Sequence, residues 1–124
     1  MDVLRHMLEA VKPDGLVLDL QVIRPNPTAE IDAEVICELD GRPLFVKADA
    51  AVAAVEAAVA DGRLVEEAVD DHDVLKHYAT GAELVDDWAR SGRHPPAEAL
   101  PRLRATTRSC VTRERCRLRR FRLA

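Results

Sequence analysis

Four groups of side chains in this sequence have types and spacings that could do chemistry. Asp19, Gln21 and Arg24 fall near the carboxyl end of a predicted strand, where open α/β sheets form their ligand crevices. There Asp19, if partly buried, would act as a general base and the three together as a ligand-binding set. An aspartate within a strand serves equally well as a hydrogen-bonded structural residue. Asp70-Asp71-His72-Asp73, with His77 beyond, is the densest gathering of metal-ligand types. On extended chain His72 and His77 point to opposite faces, so this stretch reads as a solvated hairpin turn and no metal site is expected. Arg113, Arg115, Arg117 and Arg119 recur at every second position and would form one cationic row on a strand, suited to binding an anion or a phosphate backbone. Glu66, Glu67, Asp70 and Asp71 on neighbouring strands would instead neutralise that row from within. With so few aromatics to stack on bases, nucleic acid is not an expected partner. Cys110 and Cys116 share a strand face but stand too far apart for a metal pair, which favours buried packing. His6 and His94 are isolated.

Composition bounds the elements that position these groups. The chain has 124 residues, 48% apolar and 32% charged, which suits one folded domain spanning residues 1–124. Phe45, Tyr78, Trp88 and Phe121 are the only large rings, so they are the expected anchors of a core otherwise built from Val, Leu, Ala and Ile. No apolar run approaches the roughly 20 residues of a membrane span, and Asp2 stands where a basic leader would begin. Three cysteines without C-x-x-C spacing fit reduced thiols, and a cytoplasmic location is expected. The excess of Arg over Lys together with abundant Ala suggests a high-GC bacterial genome. Charge is polarised, since residues 102–124 hold nine arginines against one glutamate while the rest is acidic.

Asp2 can cap a helix whose Val3, Leu4, Met7, Leu8 and Val11 share a face until Pro13 stops it. Leu16 to Ile23 reads as a central strand covered on both faces at its start, ended by Pro25-Asn26-Pro27. A β-hairpin is expected from Ala33–Leu39 and Leu44–Ala48 around Asp40-Gly41-Arg42-Pro43, followed by a helix from Asp49 to about Ala60. Leu64–Val69 and Val74–Ala79 would make a second hairpin around residues 70–73. Thr80-Gly81-Ala82-Glu83 has the capping-box pattern, opening a helix that closes at Ser91-Gly92. Pro95 and Pro96 can start a short helix to about Arg104, and Cys110 to Leu123 is extended.

The passage from Leu4 to Leu20, a Leu-rich helix, then Lys12-Pro13-Asp14-Gly15, then an apolar strand, resembles class I S-adenosylmethionine-dependent methyltransferases. In that Rossmann-like family such a helix leads through a K/R-P-G-G-like turn into the fifth strand. Asp14 here replaces the first of the two glycines. Tyr78 to Trp88 is similar, by pattern, to the strand-to-helix passage before the family's last strands. The resemblance implies an α/β fold, a partial Rossmann-like sheet with added β-hairpins and three to four helices.

The family's cofactor-binding elements, a glycine-rich turn after the first strand and an acid on the second, have no counterpart, and no G-x-G occurs. The resemblance therefore implies no cofactor bound by this chain alone, S-adenosylmethionine entering only if a partner completes the fold. It also implies a strand edge to be covered by a second copy in a homo-oligomer, by a separate N-terminal partner, or by the chain's own hairpin. Three readings follow: a half domain non-catalytic by itself; a small-molecule enzyme or ligand-binding protein with a dimer-interface site at Asp19, Gln21 and Arg24; and an anion-binding module using the arginine row.

Overall fold

The computed structural model describes residues 2–91 and 93–124, the side chain of Asp2 excepted. The expected capping by Asp2 and the expected helix stop at Gly92 lie outside what is described. The order is α1 (Asp2–Ala10), β1 (Leu16–Val22), β2 (Thr28–Ile31), β3 (Glu34–Glu38), α2 (Arg42–Ala60), β4 (Leu64–Tyr78), α3 (Gly81–Arg90), α4 (Leu100–Ala105) and β5 (Cys110–Leu123). This is a mixed α+β fold around one antiparallel five-stranded sheet.

The last strand organises that sheet. β4 pairs with β5 along its whole length, Leu64 opposite Leu123 and Tyr78 opposite Cys110. The other edge of β5 is shared end to end, with β1 on residues 116–122 and β2 on residues 110–113. Because β1 and β4 both oppose β5, they run parallel to each other, and α2 lies on the connection between them.

Two cores result, on opposite faces and at opposite ends of β5. On one face Val17, Val55, Ala58, Leu64 and Phe121 pack with Leu4 and Leu8 of α1 and with Val11 just after it. On the other, Trp88, Leu84, Val85 and Leu103 of α3 and α4 pack on Tyr78, Cys110, Ile31 and Leu39. All four aromatic rings are buried, as expected of the anchors. Among the described residues, no helix is long and apolar enough to cross a membrane.

Four expectations are corrected. β1 is an edge strand and not a central one: it pairs only with β5, and Leu16, Leu18 and Leu20 are 54%, 59% and 55% exposed. The first hairpin is β2–β3, closed by Asp32 and Ala33 at φ 51° and 64°, the left-handed pair that a two-residue turn requires. The chain's own hairpin therefore extends β5 and leaves the outer edge of β1 uncovered. Residues 44–48 belong to α2, whose Pro43 occupies the first turn, where its missing N–H costs nothing, and whose many alanines favour helix throughout. Residues 70–73 continue β4 without a turn, because Asp71 and Asp73 meet arginines of β5.

Pro95 and Pro96 precede a turn, and the short helix begins only at Leu100, with Pro101 in its first turn. The capping expectation at Thr80 holds, with Glu83 N–H donating to Thr80 Oγ1 at 3.2 Å. The Glu83 carboxylate accepts from Ala79 N–H at 3.0 Å, one residue earlier than in the standard box.

Gly81, next to this cap, docks α3 on the end of α4. Its N–H donates to Thr106 O at 3.0 Å, and a Cβ added there would lie 1.8 Å from Leu103 O. Neither backbone can yield independently. We expect Gly81→Ala to destabilise the fold by about 3 kcal/mol in urea unfolding, well beyond the roughly 1 kcal/mol of Thr80→Ala.

Candidate ligand pocket and the arginine ladder

Alternation along β1 turns Val17, Asp19 and Gln21 toward α2 and the leucines between them the other way. In register beside them are Phe121, Arg119 and Arg117 of β5, and beyond those Glu66, Val69 and Asp71 of β4. With Val52 and Glu56 of α2 above, Asp19, Gln21, Arg117, Arg119, the three β4 residues and Ile23 bound a cavity of about 420 Å³, while Val17 and Phe121 belong to the packed core beside it.

Its electrostatics are largely closed on themselves. Arg119 is buried, lies 4.9 Å over the Phe121 ring, and binds Glu66 at 2.5 Å and Glu56 at 2.7 Å. Burial opposes its charge, but the hydrogen bonds to Glu66 and Glu56 outweigh burial and raise its pKa. Arg117 grips Asp71 with two bonds, 2.8 and 2.9 Å, which hold the Asp71 carboxyl below the usual carboxylate range. Arg113 and Arg115 converge on Asp73 at 2.9 and 3.2 Å and lower it likewise, and Arg113 also holds Glu30 at 2.8 Å. The predicted row of arginines is present on one strand face, and every member has a carboxylate partner.

Asp19 is different. Its Oδ1 accepts from Gln21 Nε2 at 2.8 Å, while Oδ2 is buried without a hydrogen-bond partner among the described residues. A carboxylate oxygen in that state is a place for a donor to bind. The lining supplies carboxylates, guanidinium groups and apolar walls, with no hydroxyl, thiol, amine or imidazole among its residues. It suits seating a ligand donor or accepting a proton.

The structure thus brings Asp19 and Gln21 together and separates Arg24 from them. Arg24 is exposed, pairs with Asp49 at 3.2 Å, stacks 4.7 Å over Phe45 and borders a second groove with Asn26 and Arg42. Glu56, Glu66 and Asp71 were not among the residues expected at this site. Asp71 stands in register with Arg117, whereas Glu66, opposite Phe121, and Glu56 of α2 reach the site through Arg119.

His72 Nδ1 is 3.1 Å from Asp70 Oδ2 without hydrogen-bond alignment, and among the described residues no group of His, Cys, Asp and Glu converges as metal ligands. All three cysteines are free, with burial raising each thiol pKa.

Comparison with known proteins found no matching family model and no significant match among curated proteins or solved structures.

The arginine ladder sets two expectations. Asp71 and Asp73 have depressed folded-state pKa values, so their contribution is complete above the ordinary carboxylate value of about 4 and is lost as pH falls through the lower folded values. Urea midpoints should fall below about pH 4, and added salt should reduce the effect, because these pairs are solvent-exposed. Replacing Arg119 with Met should cost about 2 kcal/mol in the same assay at neutral pH, since Glu66 and Glu56 would face each other without a cation.

Proposed function

We propose that this chain is a methyltransferase-like α/β half domain that lacks the cofactor-binding portion, is non-catalytic by itself and is completed by further polypeptide. The observation that carries the reading is β1. The passage from Leu4 to Leu20 folds as helix, turn and strand in the order the resemblance implies, with Gly15 N–H closing the turn on Lys12 O at 2.8 Å. That strand stands at the margin of the sheet with its outer edge unpaired and its leucines bare, and Val3 and Met7 of α1 beside it are 67% and 41% exposed. A folded domain normally covers such an edge. β1 and β4 run parallel with α2 on the connection between them, the antiparallel β5 standing between the two strands in the sheet.

A second reading is favoured by one specific observation, the partnerless Asp19 Oδ2. In it the cavity beneath α2 binds a small molecule through Asp19 and Gln21, without Arg24. Anion binding by the arginine row draws no support, because the four guanidinium groups are already held by carboxylates.

Calorimetric titration with S-adenosylmethionine tests the first reading. The chain alone should give no binding heat. Joined before α1 to the glycine-rich first half of a class I methyltransferase, it should bind the cofactor and protect the β1 amides from hydrogen exchange. Micromolar binding by the chain alone, or a fusion that leaves β1 unprotected, would discard the reading.

A further inference from the structure

The cavity beneath α2 is not balanced in charge. Asp19, Glu56, Glu66 and Asp71 set four carboxylates on its lining against the two guanidinium groups of Arg117 and Arg119. Arg117 is committed to Asp71, and Arg119 to Glu56 and Glu66. Although Asp19 stands opposite Arg119 in register, no ion pair joins it to either arginine. The nearest further cations bring no excess positive charge. Arg113 and Arg115 are taken up by Glu30 and Asp73, and Arg24 beyond β1 by Asp49.

The surplus negative charge falls to Asp19. Its Oδ1 accepts from Gln21 Nε2 at 2.8 Å, and its Oδ2 is buried with no hydrogen-bond partner among the described residues. A carboxylate only accepts, so this contact assigns the Gln21 nitrogen to the Asp19 side and leaves the amide oxygen as a further acceptor. The surroundings are apolar. Ile23, Val52 and Val69 wall the cavity, and Asp19 also borders a narrower cleft of about 120 Å³ with Met7 of α1 and Val55 of α2.

We infer that this site binds an organic cation, an alkylammonium whose nitrogen donates to Asp19 Oδ2 and whose hydrocarbon part lies against the valines. The inference rests on the reading that the cavity takes a small molecule, and it names the class of that molecule. Surplus carboxylates repel an anion. A guanidinium ligand is matched by a carboxylate with both oxygens free, whereas Asp19 has one, which suffices for the point charge of an ammonium. A divalent metal ion needs several converging oxygens, and among the described residues no such group of ligands is present. Burying a carboxylate oxygen without a partner is unfavourable, and an ammonium donor removes that penalty on binding.

Hexylammonium, hexanol and hexanoate share one chain and differ in head group. Each would be titrated at neutral pH into the full chain carrying labelled valine methyls. Hexylammonium should shift the methyls of Val52, Val55 and Val69 and bind about tenfold or more tightly than hexanol, the effect of one hydrogen bond to a charged group. Hexanoate should leave them unmoved. Asp19→Asn removes the charge at nearly constant shape, and should abolish the preference for hexylammonium over hexanol while Trp88 fluorescence reports an intact fold. Hexanol binding as tightly as the amine, hexanoate binding in the cavity, or a preference that survives Asp19→Asn would each overturn the inference and leave the small-molecule cavity standing. Silence at these methyls with all three probes would overturn the inference and that reading together. The three-probe comparison on the unaltered chain decides the matter even if Asp19→Asn does not fold.

Discussion

Strand β5 carries arginines at 113, 115, 117 and 119 and nevertheless lies inside the sheet, flanked on both edges. It can do so because β4 presents Glu66, Asp71 and Asp73 on the same face, with Glu30 of β2 and Glu56 of α2 completing the set. Each exposed pair contributes little alone. Their joint effect is on register: a slip of β4 by one residue would turn Asp71 and Asp73 to the face opposite the arginines and strand a row of like charges. The position of β5 then determines where β1 and β2 attach, which face α1 and α2 cover and where α3 and α4 dock.

The same pairing accounts for what the two halves of the sheet can and cannot bind. Charges lining the cavity are consumed internally, which leaves Asp19, among the described residues there, with a carboxylate oxygen that has no hydrogen-bond partner. On the other face Arg120 pairs with Glu67 and Asp70 stands opposite Leu118, and the leucines of β1 remain half exposed. Covering those leucines would contribute about 1 kcal/mol each, half of a full leucine burial, so the bare face is a standing thermodynamic incentive to association.

Much of the local structure was legible in the sequence. Thr80 and Glu83 marked the start of α3, Pro13-Asp14-Gly15 marked the turn before β1, and the alternation of residues 110–123 marked β5. These signals are short-range: a cap, a proline and a two-residue period. Asp40-Gly41-Arg42-Pro43 misled because proline in a first helical turn looks like a loop residue, and Asp32-Ala33 was missed because it lacks the glycine typical of a two-residue turn. Asp70 to Asp73 imitated a turn because the arginines that make those acids strand-compatible lie about forty residues away in sequence. The same non-local pairing hid half of the candidate pocket: Asp19 and Gln21 could be singled out from their strand position, whereas Glu56 and Glu66 join them only through Arg119. An apolar run suggested a central place for β1, but centrality is settled by pairing, and the charged strand took it.

The end-to-end sharing of β5 also sets the order in which the chain can acquire its shape. Phe121 belongs to one core and Cys110 to the other, and both lie in the final fourteen-residue strand. During synthesis from the N-terminus, α1, β1 and α2 emerge with their apolar sides turned toward a strand that does not yet exist, and so do β4 and α3. Neither core can close before β5 has been made, so the pairings that complete the fold are distant in sequence, the condition for a slow collapse.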